Sequence, residues 1–324
     1  MSPGRPIELP VFKDLAAANG LDDLEVRAQR YPLDVSAPTD AHPFFFNQLR
    51  MAHPQDWLEM VAEYRRSGSF NIGASLVTAG NLIAVGTLFL LIGLSAILVV
   101  GVIVMPGWSS MWIADRNLVW SGTTYFLLIG IGFMLVEIGL IQRMSIFIGH
   151  PVYGLSIVLF SIILATGIGS FLSERLVPAS KTPLALWLGT LGIYLLVLPY
   201  WLPGLTHSME SAALLMRAAV SVAIIVPPGI LMGFAFPTGM RLVTRRDPRP
   251  TPWFWGINGA AGVLAAGIGV TTSIAFSINT TMQLGGLCYL LLYPAAILLL
   301  THREAGNITT PPVLADEAVL DLSS

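Results

Sequence analysis

The sequence predicts an all-α fold: a polytopic transmembrane bundle of about seven helices with a short polar N-terminal segment. Three observations carry that expectation. The chain is 54% hydrophobic and 11% charged, where an ordinary soluble domain carries about 25% charged residues. The charge is also unevenly placed, with only five acidic and nine basic side chains between Asn71 and Leu300. That stretch divides into runs of the roughly 20 apolar residues a helix needs to cross a bilayer. A backbone surrounded by lipid has to satisfy its own polar groups, which selects helices over open sheets.

Residues 1–70 hold ten of the nineteen acidic residues and are interrupted by Pro3, Pro6, Pro10, Pro32, Pro38, Pro43 and Pro54. Short helices such as Leu21 to Gln29 are the most this segment supports. It has too little apolar material for a core of its own, so it is expected to pack on the membrane body or on another domain. Glu8 and Asp14 interrupt any apolar core near the start, so no cleavable signal peptide is expected and the first membrane helix directs insertion.

The membrane domain, 71–301, contains seven spans at approximately 80–105, 122–142, 152–173, 183–203, 211–236, 253–277 and 282–301. Trp108, Trp112, Trp120, Tyr200, Trp201, Trp253 and Trp255 fall near their ends, as interfacial aromatic residues do. Ala261, Ala265 and Gly269, with Gly256, Gly259 and Gly262, recur at helix-packing spacing in the sixth span, which predicts close backbone approach and an interior position. Cys288 reads as a packing residue of the seventh span, and 302–324 form a polar tail with four further acidic residues.

Orientation presents a conflict. Arg65 and Arg66 before the first span, and Arg241, Arg245, Arg246 and Arg249 between the fifth and sixth, both favour the cytoplasm. Five intervening crossings place them on opposite sides. The preferred resolution is a cytoplasmic N-terminal segment and a broken or re-entrant fifth segment, because Pro227, Pro228 and Gly229 interrupt its backbone ladder and Pro237 follows.

The polar residues inside the runs are the candidate functional or structural sites. Glu137 lies deep in the second span, where a carboxylate costs several kcal/mol unless paired or protonated. Arg143 and Arg217 are its available cations. A structural ion pair or protonated carboxyl is one reading of Glu137, and a proton- or substrate-handling role is the other. Gln142, Arg143, His150 and Tyr153 gather at the turn between spans two and three. His150, beside Pro151, reads either as a hydrogen-bonding or capping residue or as a group with chemistry of its own. Asn258 is expected to bond across helices. No P-loop, HExxH, CxxC or strand-borne GxGxxG is present. No catalytic residue, cofactor or metal ligand is therefore predicted, and the net charge of −2 without a basic stripe argues against nucleic acid.

Several strings together resemble one family. They are Pro38-Thr39-Asp40-Ala41-His42-Pro43-Phe44-Phe45-Phe46; Gly132 to Glu137 with Gln142-Arg143; Gly149-His150-Pro151-x-Tyr153; Phe236 to Arg241; and Pro252-Trp253-x-Trp255-Gly256-Ile257-Asn258-Gly259. In this order they resemble the C-terminal membrane region of large bacterial spermidine-synthase-like proteins, over roughly residues 30–300. Ala41 and His42 stand where that family has an Asp-Arg pair. The resemblance implies a bacterial inner-membrane location. It also implies that the aminopropyltransferase-type catalytic domain belongs upstream of Asp40, so no catalytic residue carries over.

Three functions follow as expectations. The first is a non-catalytic membrane module that anchors or supports a soluble aminopropyltransferase-like partner, or a membrane complex, docked on residues 1–70. The second is transport of a small organic cation or polyamine past Glu137, the proline-broken fifth span and the glycine-rich sixth. The third is an aminopropyltransferase-family enzyme component.

Overall fold

The computed structural model describes residues 10–30, 34–36, 38–44, 47, 49–51, 53, 55, 58, 62, 66, 75–107, 115–176 and 180–307. Among these the elements are helical: α1 (Pro10–Ala16), α2 (Leu21–Ala28), α3 (Ser75–Leu98, continuing as a π-helical turn over Val99–Val104), α4 (Arg116–Ile148), α5 (Pro151–Leu176), α6 (Lys181–Ser208), α7 (Leu214–Gly233), α8 (Ala235–Thr244), α9 (Thr251–Ala275) and α10 (Ile278–Asn307). Seven spans are long and apolar enough to cross a membrane, with α7 and α8 forming the fifth. Arg65, Trp108, Trp112, Phe45, Phe46 and the polar tail beyond Asn307 lie outside the described residues.

Local chemistry sets the helix ends. Asp115 caps α4, its side chain accepting the Asn117 N–H, which neutralises an unpaired donor of the first turn. At the other end Gly149 adopts φ 77° and its N–H bonds Ser145 and Ile146 carbonyls, the left-handed closure that glycine permits. Pro151 then opens α5 at a position where its missing N–H costs nothing.

Successive spans run antiparallel. One face of the bundle, here termed proximal, carries the ends of α4, α6 and α9, the starts of α5, α7 and α10, and the N-terminal segment. The distal face carries the start of α4, the end of α5 and the α8–α9 turn. Arg246 Nη2 reaches Asp115 Oδ2 at 3.0 Å there, and Arg241 Nη2 donates to the Ser173 carbonyl at 3.1 Å. The fifth span therefore crosses completely, from Arg217 at the proximal face to Arg246 at the distal one, which corrects the re-entrant alternative, while the segment is broken as expected, though at Phe234 and not at the prolines.

The reason is hydrogen bonding supplied from outside the helix. Pro228 has no N–H for the Ile224 carbonyl, and Tyr194 Oη of α6 donates to that oxygen at 2.9 Å instead. With the Ile224 carbonyl satisfied at Pro228, α7 stays helical through Pro227 and Pro228. The helix yields later, at Phe234, ahead of Pro237, whose ring removes the donor for Gly233. Here Trp187 Nε1 donates to the Leu231 carbonyl at 2.8 Å and Tyr125 Oη to the Ala235 carbonyl at 3.0 Å.

Helices in lipid gain no hydrophobic drive towards each other, so their association depends on close packing. A Cβ on Gly169 would fall on the Ile230 carbonyl, and one on Gly233 on the Thr166 backbone; α5 and α7 thus cross backbone against backbone. A Cβ on Gly132 would stand 3.0 Å from the Cys288 Cβ, which places that cysteine in the α4–α10 seam as a packing residue. The sixth span lies between neighbours, as its small residues predict: α9 packs α3 on one side and α4 and α10 on the other. The centre belongs to α4, the most buried of the spans. Phe126 of α4 stacks on Phe254 with ring centroids 5.2 Å apart. Trp253, expected at the interface, is buried and donates to Thr123 Oγ1 at 2.7 Å, whereas Trp120, Tyr200 and Trp255 are exposed.

Candidate functional site

Polar chemistry converges on the proximal face. Thr39 to His42 form a tight turn closed by Thr39–His42 backbone bonds, and three bonds fasten that turn to the bundle. Arg143 Nη1 donates to the Asp40 carbonyl at 2.7 Å, the Ile278 N–H to the Ala41 carbonyl at 2.9 Å, and His42 Nε2 to the Ile274 carbonyl at 2.8 Å. Asp40, Ala41 and His42 are thereby tied to the Arg143 side chain near the end of α4 and close over the α9–α10 turn. His42 satisfies a carbonyl in the last turn of α9, a place where a donor is needed. Arg50 Nη2 donates to the Ala28 carbonyl at 3.1 Å, which ties the following residues to α2. In α1–α2, Arg27 clamps Asp14 at 2.7 Å and Asp23 at 3.1 Å. The Asn19 N–H and the Arg27 guanidinium hold the Asp23 carboxyl below its usual range. A cavity of about 500 Å³ opens between this layer and the end of α9, with His42, His53, Asp34, Glu25 and Arg50 in its wall.

Beside the turn lies a smaller cavity of about 160 Å³ lined by Arg143, Arg217, Asp40 and Glu210 with Ile146, Phe147 and Thr206. Arg217 Nη1 donates to the Phe147 carbonyl at 3.1 Å, a cation on the negative end of α4. Arg143 is 2% exposed, and among the described residues its Nη2 has no hydrogen-bond acceptor; neither has the buried Arg217 Nε. Sequence spacing brings neither arginine to the other, since they stand on α4 and α7.

A third feature faces the bilayer. Where the fifth span breaks at Phe234, α4, α5, α7, α8 and α9 leave an apolar groove of about 870 Å³ that includes Phe133, Met134, Thr166, Met232, Phe236, Trp255 and Asn258. It runs from near the distal end, at Pro237 and Ser170, towards mid-depth at Met134 and Ala266. The glycines Gly130, Gly167, Gly233, Gly259 and Gly262 hollow its walls. Asn258 Nδ2 donates to the Phe126 carbonyl at 3.0 Å, the helix-to-helix bond expected of it.

The remaining candidates separate. Glu137 continues the stripe of Gly130, Phe133 and Met134 at i, i+3, i+4, i+7 spacing, and so stands one turn beyond the groove. Neither Arg143 nor Arg217 pairs with it. Both guanidinium groups are engaged by carbonyls at the proximal end, and among the described residues Glu137 makes no hydrogen bond or ion pair. Arg143 lies about 9 Å further along the helix axis and on another side of it. His150 is exposed, its ring 4.7 Å from that of Tyr153, and it belongs to neither cavity. The layer formed by Asp40, Ala41 and His42 was legible in the sequence only as a motif. Its fastening depends on helix residues about 100 and 230 positions away.

Among the described residues no cluster of three or more His, Cys, Asp or Glu side chains is arranged to hold a metal. Comparison with family models, with curated proteins and with solved structures finds no match to this chain.

Proposed function

We propose that the chain is a non-catalytic membrane module, of the kind the spermidine-synthase-like resemblance implies, whose proximal face is a docking platform for a partner protein or complex. The observation that carries this is the fastening of the N-terminal layer. Bonds from Arg143, His42 and the Ile278 N–H hold residues 40–42 against three helix ends. A surface fixed in this way offers a partner a preformed shape, with less ordering to be lost on binding.

The same topology favours an orientation. Arg116, Arg175, Lys181, Arg241, Arg245, Arg246 and Arg249 sit at the distal face, whereas the short proximal turns at 149–150, 209–213 and 276–277 contain no lysine or arginine. Arg65 and Arg66 before the first span weigh the other way, but the seven distal cations outnumber them, and that balance favours a cytoplasmic distal face with the platform on the outer side of a bacterial inner membrane. This inverts the placement first expected for residues 1–70. Single cysteines at Ser36 and Arg246, in a Cys288→Ser background, test it with a membrane-impermeant maleimide on intact cells. Labelling of Ser36→Cys alone supports the orientation, labelling of Arg246→Cys alone reverses it, and equal labelling refutes seven crossings. Co-purification in mild detergent tests the platform: a chain that leaves its native membrane alone, without a stoichiometric partner, refutes docking.

A second reading, transport of an organic cation or polyamine, is favoured by the bilayer-facing groove and the unpaired Glu137 beyond its inner end. Proteoliposomes containing the wild type and Glu137→Gln decide it, and absence of uptake by the wild type ends it.

A further inference from the structure

The Arg143–Arg217 cavity has a charge arrangement that neither docking nor transport explains. Its inner wall carries two guanidinium groups, each with one buried nitrogen that finds no acceptor among the described residues. A buried donor left unmade costs about 1–3 kcal/mol, more when charged, and two on one small cavity call for an oxyanion in a desolvated setting. The carboxylates of the same cavity do not supply it. Asp40 and Glu210 are exposed at the rim, neither forms an ion pair with either arginine, and Glu210 Oε1 is instead 2.9 Å from His207 Nδ1. An anion alone would meet these two rim carboxylates on its way in. A ligand with a positive group a few atoms from its oxyanion would match both layers, acid outside and guanidinium inside.

We propose that this cavity binds a small zwitterion, with its oxyanion on Arg143 Nη2 and Arg217 Nε and its ammonium group against Asp40 and Glu210. Its volume of about 160 Å³ equals about five waters at 30 Å³ each, which suits a phosphoethanolamine-sized group and excludes an acyl chain. The cavity lies at the proximal ends of α4, α6 and α7, where lipid headgroups and water meet, so the same chemistry arrives either as a phosphatidylethanolamine headgroup or as a free phosphorylated amine. Guanidinium is suited to such oxyanions because its donors are planar, fixed and permanently charged.

The test uses the full chain in two settings. Detergent-solubilised protein is titrated with phosphoethanolamine, inorganic phosphate and ethanolamine, with thermal stability as the readout. Nanodiscs of phosphatidylethanolamine and of phosphatidylcholine give the lipid arm. Phosphoethanolamine is expected to stabilise more than either fragment, Arg217→Gln to weaken it about tenfold or more for the lost charged bonds, and Glu210→Gln to reduce it to the level of phosphate. Stabilisation by the soluble compound assigns a free ligand. Stabilisation only in phosphatidylethanolamine over phosphatidylcholine, abolished in Arg217→Gln, assigns the headgroup. Glu210 is exposed, so its variant reports on binding even should Arg217→Gln fail to fold. A wild type indifferent to both arms, or an effect unchanged in Glu210→Gln, overturns the proposal.

Discussion

Replacing Tyr194 by Phe removes one oxygen and tests the claim that a neighbouring helix supplies the donor that α7 loses at Pro228. The hydroxyl donates to the Ile224 carbonyl at 2.9 Å, Ile224 is 5% exposed, and Pro228 removes the N–H that would otherwise bond it. Among the described residues no other donor bonds that carbonyl. Interhelical hydrogen bonds in membranes average about 0.6 kcal/mol and reach about 1.7, while an orphaned buried carbonyl costs about 1–3 kcal/mol. The overlap of those ranges gives about 1–1.7 kcal/mol, a change of roughly five- to twentyfold in the unfolding equilibrium. Reversible unfolding in mixed micelles measures it, as a cycle with Pro228→Ala. In the alanine background the helix regains its own N–H, and Tyr194→Phe is expected to cost under about 0.5 kcal/mol, leaving a coupling of about 1 kcal/mol. Equal losses in both backgrounds, or none in the wild type, refute the reasoning.

Gly169→Ala and Gly233→Ala place a methyl on the backbones of Ile230 and Thr166 and are expected to cost about 1–3 kcal/mol each. Gly167→Ala, with nothing within 4 Å, is expected to stay within about 0.5 kcal/mol, and comparable melting losses in all three contradict the backbone-to-backbone crossing. Trp187→Phe removes the donor to Leu231 beside the Phe234 break and is expected to lower stability by about 1 kcal/mol, read by the same unfolding assay. On the distal turn, Arg249 bonds both Asp247 oxygens and holds that carboxyl below its ordinary 3.8. A depressed carboxylate contributes stability in full above its unfolded value and loses it as pH falls through the folded one. Asp247→Asn should therefore flatten the acid side of the melting profile between about pH 5 and 3, and an unchanged slope would contradict this.

Seven spans and the short helix at 21–28 were readable because each depends on a local property, the length of an apolar run or the spacing of a few residues. What escaped depends on partners remote in the chain. Pro227 and Pro228 read as a break because the hydroxyl that takes the Ile224 carbonyl in place of the Pro228 N–H belongs to Tyr194, on another helix. Glu137 was given Arg143 and Arg217 as partners from depth alone, but their guanidinium groups are directed to the Asp40 and Phe147 carbonyls. Trp253 followed the composition rule for interfaces, yet its indole N–H met Thr123 in the interior. Asn258 was legible because a lone amide in lipid has few alternatives to a neighbouring helix. The Arg143–Arg217 pair was not, since its members lie 74 positions apart and meet only once α4 and α7 are packed.

The lateral position of α3 bears on biogenesis. Its contacts run along α9, where Ile92 meets Gly267 and Ile103 meets Gly256, and α9 begins 147 residues after Val104. At about 5–20 residues per second of synthesis, α3 waits roughly 7–30 s for its mate. It is also the most apolar of the seven spans, and α9 the least. The early helix is thus fit to dwell alone among acyl chains, whereas the late one enters when a wall is already there to receive it.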